Sequence, residues 1–305
     1  MNTFSYSQHL VQSPLWGEFK EKMGNPSYSV SGVQFSLHKL PLLPFFVAYA
    51  PKVDLEKVDF KEIFQKAKEL KAIVVRFDIP VSNKEFPLLK KSPKDTFAKH
   101  TVSLNLTPSL DDLFKNFKEK TRYNIRLAQK HGVVVKESSD ISIFLNLNKE
   151  TAKRQGFYVH SDDYYKTMFE IFHNKGLATQ LTAYLGEEPL ACWILVVFKD
   201  VLYYPYGASS NQHREAMASN LLMWEAIKLG KSLNCKLFDM WGATNNEKDP
   251  WWGFTKFKLG YGGELVEGGV SQDLVINNFI YTFFNLSYKI VWFFLGLIKI
   301  IKKWI

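Results

Sequence analysis

The sequence predicts a mixed α+β chain in two domains, and three observations carry that prediction. At 305 residues it exceeds the size that one hydrophobic core usually serves, so two domains of about 150 residues are expected. Strand-like runs bounded by turn residues alternate with segments of helical period. A set of strands, a helix and a further strand recur in each half, an order that suits two similar mixed units and not one parallel Rossmann sheet.

Composition narrows the class. With 46% apolar and 23% charged residues the chain is globular, and its two cysteines, Cys192 and Cys235, sit in strand-like apolar runs as buried thiols. A net charge of +9 suggests an anionic partner, a nucleic acid, a phosphorylated substrate or an acidic membrane face, or else a basic chain that is merely soluble; charge alone does not choose among them. The opening MNTFSYSQHLVQSPLW has no basic leader and no continuous apolar core, so a cytoplasmic location is expected. There is no P-loop, no H-E-x-x-H and no C-x-x-C, so neither a metal nor a cofactor is expected.

In chain order, Ser13-Pro14-Leu15-Trp16 opens a helix: the Ser13 hydroxyl can cap orphan N–H groups, and Pro14 suits the first helical position. Residues 29–40 and 45–49 read as strands, 59–71 as an amphipathic helix and 73–77 as a β-branched strand. Arg76 interrupts that last run just before Asp78, and a charge between two buried faces needs a partner, so an ion pair is expected. A Lys- and Pro-rich connection, 86–100, leads to a strand over 101–106 and a helix start at Thr107-Pro108-Ser109. Through the following helix Phe114, Phe117, Ile125 and Ala128 share one side, while Lys118, Arg122, Arg126 and Lys130 recur every fourth residue as a basic stripe. Like charges so spaced repel by a few tenths of a kcal/mol per pair, which leaves a solvated face or the track of a phosphate backbone. His131-Gly132 ends this helix. Beyond it come a strand over 133–135, an amphipathic helix over 141–154, antiparallel strands over 177–185, 189–198 and 201–206, and a long helix over 211–234.

The stretch 236–263, KLFDMWGATNNEKDPWWGFTKFKLGYGG, holds the densest chemistry. A strand over 237–240 presents its carboxyl end to a loop with Trp241, Trp251 and Trp252, which a solvated connection would not normally carry. If the piece beyond is extended, Lys256 and Lys258 share one side and Phe257 points to the other. The plain alternative is a core strand, a surface loop and solvated lysines.

The pattern FDMWGA, a short loop, then FKLGYGG resembles the FemX/FemA/FemB (FemABX) family, bacterial non-ribosomal peptidyltransferases that add amino acids from aminoacyl-tRNA to peptidoglycan precursors. SPLWGEFK at 13–20, VVRFDIP at 74–80, TRYNIRLAQKHGVVV at 121–135 and YYPYGASS at 203–210 fit in the same order, so the resemblance covers most of the chain. With the repeated order of elements it points to an α/β mixed (α+β) fold of two tandem acetyltransferase-like (GNAT) domains. The first would span 1–108, completed by 265–275, and the second 109–264, with an amphipathic helix over 276–305.

The resemblance implies an aminoacyltransferase whose donor is aminoacyl-tRNA and whose acceptor is a UDP- or lipid-linked muropeptide. An aminoacyl ester is already activated, so aminolysis needs positioning, loss of an ammonium proton and a stabilised oxyanion, with no covalent enzyme intermediate. Lys258 matches the family's functional lysine and Phe257 its neighbour; the lysine cation would stabilise the oxyanion or the leaving 3′-oxygen. Lys20, one turn beyond Trp16, matches the lysine that binds the acceptor's phosphate. Where the family commonly has an arginine for that phosphate stands His160, a weaker and pH-dependent anion contact. Tyr206 and Trp241 complete the substrate-binding candidates, and Lys118, Arg122, Arg126 and Lys130 are the nucleic-acid-binding ones. No segment suits the long helical arm of some members, so the chain resembles the compact FemX form.

Two other classes stay open. One is an acyl-CoA-dependent N-acyltransferase acting on a cell-envelope substrate, against which Met217 stands where a pyrophosphate-binding turn needs glycine. The other is a non-catalytic membrane or nucleic-acid adaptor. In the carboxyl-terminal segment Lys289 and Lys299 leave only nine residues, 290–298, uninterrupted, short of the ~20 of a spanning helix. Phe283, Ile290, Phe294, Leu297 and Ile301 share a side opposite the lysines, which suits a helix lying peripherally on the inner membrane face, with a helix packed on the first domain or a tilted span as the alternatives; a monomer is expected.

Overall fold

Ser13 caps the first helix as its hydroxyl accepts the Trp16 N–H at 3.2 Å, and Pro14 opens α1 (Pro14–Lys22). The structure is a computed structural model that describes residues 9–80, 86–156 and 159–286. Residues 29–40 form a hairpin and not one strand: β1 (Ser27–Val30) and β2 (Val33–Lys39) are joined by Ser31 and Gly32, both at positive φ. Two such residues give the tight turn that matches strand twist, a property of the backbone that alternation does not report. β3 (Phe46–Ala50), α2 (Phe60–Glu69), β4 (Ala72–Ile79) and the short β5 (Lys90–Lys91) follow.

Next come β6 (His100–Asn105), α3 (Leu110–Asn116), α4 (Glu119–Lys130) and β7 (Val133–Ser138). The single helix expected over this stretch is broken. Phe117 and Lys118 are extended, and the Lys118 N–H donates to the Gly260 carbonyl at 2.9 Å in place of a helical bond. α5 (Ile141–Gln155), α6 (Asp162–His173), β8 (Ala178–Leu185), β9 (Glu188–Phe198) and β10 (Val201–Ser209) lead to α7 (Ala218–Ser232). The helix expected from 211 starts only at Ala218, because His213 and Met217 adopt left-handed backbone around a 3-10 turn. β11 (Leu237–Ala243), α8 (Trp252–Leu259), β12 (Glu264–Glu267), β13 (Val270–Val275) and a helix over 278–286, α9, complete the described chain. The rest of the amphipathic helix expected over 276–305 falls on 287–305, outside the described residues.

The chain divides into a central unit, 98–268, and a split unit built from the described residues of 7–97 and 269–305. The strand at 100–105, placed in the first domain by the sequence reading, belongs to the central unit. The split unit's sheet runs β1-β2-β3-β4-β13-β5, and the central one β12-β6-β11-β10-β9-β8-β7. Each is antiparallel but for one parallel pair, β3 with β4 and β10 with β11, bridged by α2 and α7. Arg76 finds its partner in Asp273 of β13, held by two bonds of 2.8 Å, rather than in the nearby Asp78; the Tyr281 hydroxyl of α9 donates to the same carboxylate.

Candidate active site

The central unit opens where its parallel pair parts. β10 and β11 are in register only at Val201, Leu202 and Tyr203, opposite Leu237, Phe238 and Asp239. Beyond, β10 stays with β9 and β11 with β6, and both pairings slip, between Tyr203 and Tyr206 and between Asp239 and Gly242. Pro205, which has no N–H to give a ladder, sits in the first slip, and Trp241, at φ +63°, in the second. The parallel β3 and β4 of the split unit show no such parting: Phe46 to Ala50 all pair with β4, with one register shift between Phe46 and Val47.

Where the strands part, the Lys258 ammonium reaches the Gly242 carbonyl at 2.7 Å and the Trp241 carbonyl at 3.4 Å, the latter also accepting the Thr101 hydroxyl at 3.1 Å. It can do so because the piece expected to be extended is the helix α8. Lys256 and Lys258 therefore face different ways, Lys256 exposed and Lys258 only 7% exposed. Burial lowers the Lys258 pKa to about 8, and the Asp239 carboxylate opposes that shift. Asp239 is itself fixed, accepting the Thr101 hydroxyl and the Trp241 N–H.

Lys258 lines a cleft of about 300 Å³ beside the departing end of β10, walled also by α5, by the residues at the start of α7 and by α8. Its aromatic side is built from Trp193, Tyr204, Phe254 and Phe257. Tyr204 stacks on Trp193 with centroids 4.2 Å apart, Phe257 meets Trp193 edge-on, and the Lys258 ammonium stands 5.9 Å from the Tyr204 ring. Gly207 faces the Tyr204 ring, where any Cβ would overlap it. The polar side carries Arg154 of α5 and Arg214, just ahead of α7. Arg154 is held by the carbonyl and hydroxyl of Ser209 at 3.0 and 2.9 Å. The cleft thus joins a buried ammonium to an aromatic wall and a cationic rim, which fits an anionic, nucleotide-bearing substrate and a reaction that develops negative charge.

The other candidates separate. Tyr206 lies outside the cleft, its hydroxyl 3.0 Å from that of Tyr164, on which His160 stacks at 3.8 Å. Burial raises the Tyr206 pKa well above the ordinary value, so the hydroxyl stays protonated. Trp241 packs edge-on against Tyr203 at the slip in β11. Lys20 and Trp16 belong to the split unit, where the Lys20 ammonium lies 5.6 Å from the Trp16 ring and burial lowers its pKa. His38 is lowered too, by burial and then by the Lys20 charge.

The basic stripe does not survive as a uniform row. Lys118 precedes α4, Arg122 donates to the Lys115 and Phe117 carbonyls that end α3, and Arg126 covers the Phe114 ring; Lys130 is exposed at the helix end. Arg154, Arg214, Tyr204 and Asp239 were not singled out from sequence. Asp239 alone carried a signal, as a carboxylate inside an apolar strand. Among the described residues no group of His, Cys, Asp and Glu could hold a metal ion. Both cysteines are free and buried, and burial pushes the Cys192 thiol up to about 12.

A model of the FemAB family matches residues 44–185 and 175–289. The lipid II:glycine glycyltransferase of Staphylococcus epidermidis is 22% identical over 89% of this chain and 89% of its own, and that of Staphylococcus haemolyticus is 24% identical with the same coverage. Both alignments are longer than this chain, so these relatives carry segments with no counterpart here. The crystal structure of FemX superposes with a TM-score of 0.79 at 19% identity, covering 90% of this chain and 94% of that one.

Proposed function

The chain belongs to the FemAB family, and from that premise we propose that it transfers an amino acid from aminoacyl-tRNA to the stem-peptide amine of a peptidoglycan precursor. The observation that carries the reading is the buried Lys258 ammonium lining the cleft beside the departing end of β10. Two of its N–H groups are spent on carbonyls, which fixes the nitrogen and leaves one N–H for the oxyanion formed when the acceptor amine attacks the aminoacyl ester. With a pKa near 8 it is mostly a cation at neutral pH. Phe257, Tyr204 and Trp193 supply flat faces for the donor's terminal base, and Arg154 and Arg214 supply charge for its phosphates. The cluster of His160, Tyr164 and Tyr206, and the Lys20 site with Trp16, are the acceptor candidates.

We read both units as acetyltransferase-like. Each sheet places a strand set, a parallel pair bridged by a helix and an antiparallel partner, β13 or β6, in one order, and only the central unit parts its pair to admit a substrate. Coenzyme A is disfavoured as donor because Met217, at φ +52°, puts a side chain at the start of α7. Without the added segments of its relatives, tRNA would be held by the cleft and the exposed Lys118 and Lys130.

The test is direct. Purified protein is incubated with a charged-tRNA pool and UDP- or lipid-linked pentapeptide, and the products are weighed. One added aminoacyl mass per precursor is expected, and its value names the amino acid. Acylation from acyl-CoA in its place, or no product from either donor, rejects the reading.

A further inference from the structure

The split unit exposes apolar side chains at one end of its sheet. Leu40 and Phe45 close the loop between β2 and β3 through a 2.9 Å bond, and Leu42 at its tip is fully exposed at φ +64°. A left-handed backbone is unfavourable for leucine, and Pro41 and Pro44 stiffen the chain on either side of the tip. Leu43 beside it is partly exposed.

The loop does not stand alone. Leu40 and Phe45 pack in one cluster with Ile280, Tyr281 and Phe284 of α9, and the amides of Ile276 and Asn277 bond to the Ile73 carbonyl at that same end of the sheet. With Ile280, Tyr281 and Phe284 turned inward, α9 presents Phe279, Phe283 and Leu286, all more than half exposed, along a stripe 60° wide at 100° per residue. Soluble surfaces scatter such residues singly and rarely line them up.

The charge around them has one sign. Lys39 leads into the loop, Lys71 accepts the Phe46 N–H on its carbonyl at the same sheet end, and Lys90 reaches the Asn278 side chain at 3.3 Å; all three are exposed. Glu69, the carboxylate beside Lys71 in sequence, is paired with Lys66. Among the described residues no helix is long and apolar enough to cross a membrane.

We propose that Leu42, Leu43, Phe279, Phe283 and Leu286, flanked by Lys39, Lys71 and Lys90, seat the protein on an anionic lipid bilayer. The purpose rests on the proposed transfer reaction, since a lipid-linked acceptor is presented at that surface; the binding itself does not. The apolar side chains enter the boundary between headgroups and acyl chains, and the lysines meet the anionic headgroups.

The experiment sediments the full-length protein with vesicles of phosphatidylcholine alone or with added phosphatidylglycerol. The anionic vesicles should hold the protein and release part of it as salt rises. The double variant Leu42→Asp, Leu43→Asp should lower the bound fraction about tenfold or more, as withdrawing two leucines from an apolar phase requires. Phe279→Asp should act likewise, and Lys39→Glu with Lys71→Glu should remove the salt-sensitive part. All are exposed, so turnover on a UDP-linked acceptor should be unchanged, which shows that the fold is intact. Vesicle binding unaltered by these variants overturns the proposal, as does their loosening a self-association in the absence of vesicles. Vesicle binding without any transfer activity would reject the transfer reading and leave this one standing; transfer without vesicle binding would do the reverse.

Discussion

Lys258 carries two duties whose energies oppose each other. Its pKa falls from 10.5 to about 8, so between those pH values the unfolded chain holds a proton that the folded chain has released. Stability therefore rises with pH across that window, while below pH 8 the full cost of the buried cation, roughly 3 kcal/mol, is present. Lys258→Met removes that cost but takes the lysine donor from the Gly242 carbonyl, at about 1–3 kcal/mol, while the Trp241 carbonyl keeps the Thr101 hydroxyl. Urea midpoints near pH 7 should thus change little, the rise between pH 8 and 10.5 should disappear, and turnover should fall roughly 10²–10³-fold as for a lost oxyanion donor. In the wild type turnover should decline as pH passes about 8, and Lys258→Arg should abolish that decline if it retains activity. A rate that climbs through pH 8 would make Lys258 a base instead. This lysine was legible in sequence through its motif, but its burial was not, because an extended Lys256-Phe257-Lys258 puts both lysines on one side and a helix does not. Arg76 was legible from a simple rule, that a charge in a buried strand needs a partner, yet the partner lay 197 residues away, beyond any local pattern.

At the scale of elements, the cleft depends on β10 leaving β11, and Gly207 marks where the departing strand has no room for a side chain. Gly207 does not need a positive φ, so its constraint is the Tyr204 ring alone. Gly207→Ala should lower turnover about tenfold or more by pushing that ring into the cleft, with about 1–3 kcal/mol lost to overpacking. Adding Tyr204→Leu should recover stability, and a double-mutant cycle on urea midpoints should show coupling. Strictly additive effects would mean the two do not meet. Strand and helix identities here were readable from periodicity, and Pro205 in YYPYG hinted at the slip. The breaks were not. The extended Phe117-Lys118 gives its N–H to Gly260, and the late start of α7 follows from left-handed His213 and Met217; amphipathic spacing runs straight through both. α6 is capped by Ser161, whose hydroxyl accepts the Tyr164 N–H by the ordinary rule.

At the scale of the whole molecule, the central unit is continuous in sequence and the split unit is not. β13 lies between β4 and β5 in the split unit's sheet, and it brings the buried carboxylate that neutralises Arg76. Residues 98–268 alone should fold cooperatively by circular dichroism and urea titration, whereas 7–97 alone should not, because breaking a buried pair costs about 3–5 kcal/mol before the lost strand is counted. A cooperative transition in 7–97 would refute this. The order of synthesis gives the same arrangement a second meaning. At about 5–20 residues per second, β13 leaves the ribosome roughly 10–40 s after β4. For that interval the nascent amino-terminal strands wait with a bare edge and an unneutralised guanidinium, while the central unit completes itself first. A cell making this protein quickly would then have to shield that edge from neighbouring chains, and slower translation between the two strands would lengthen the exposure rather than help.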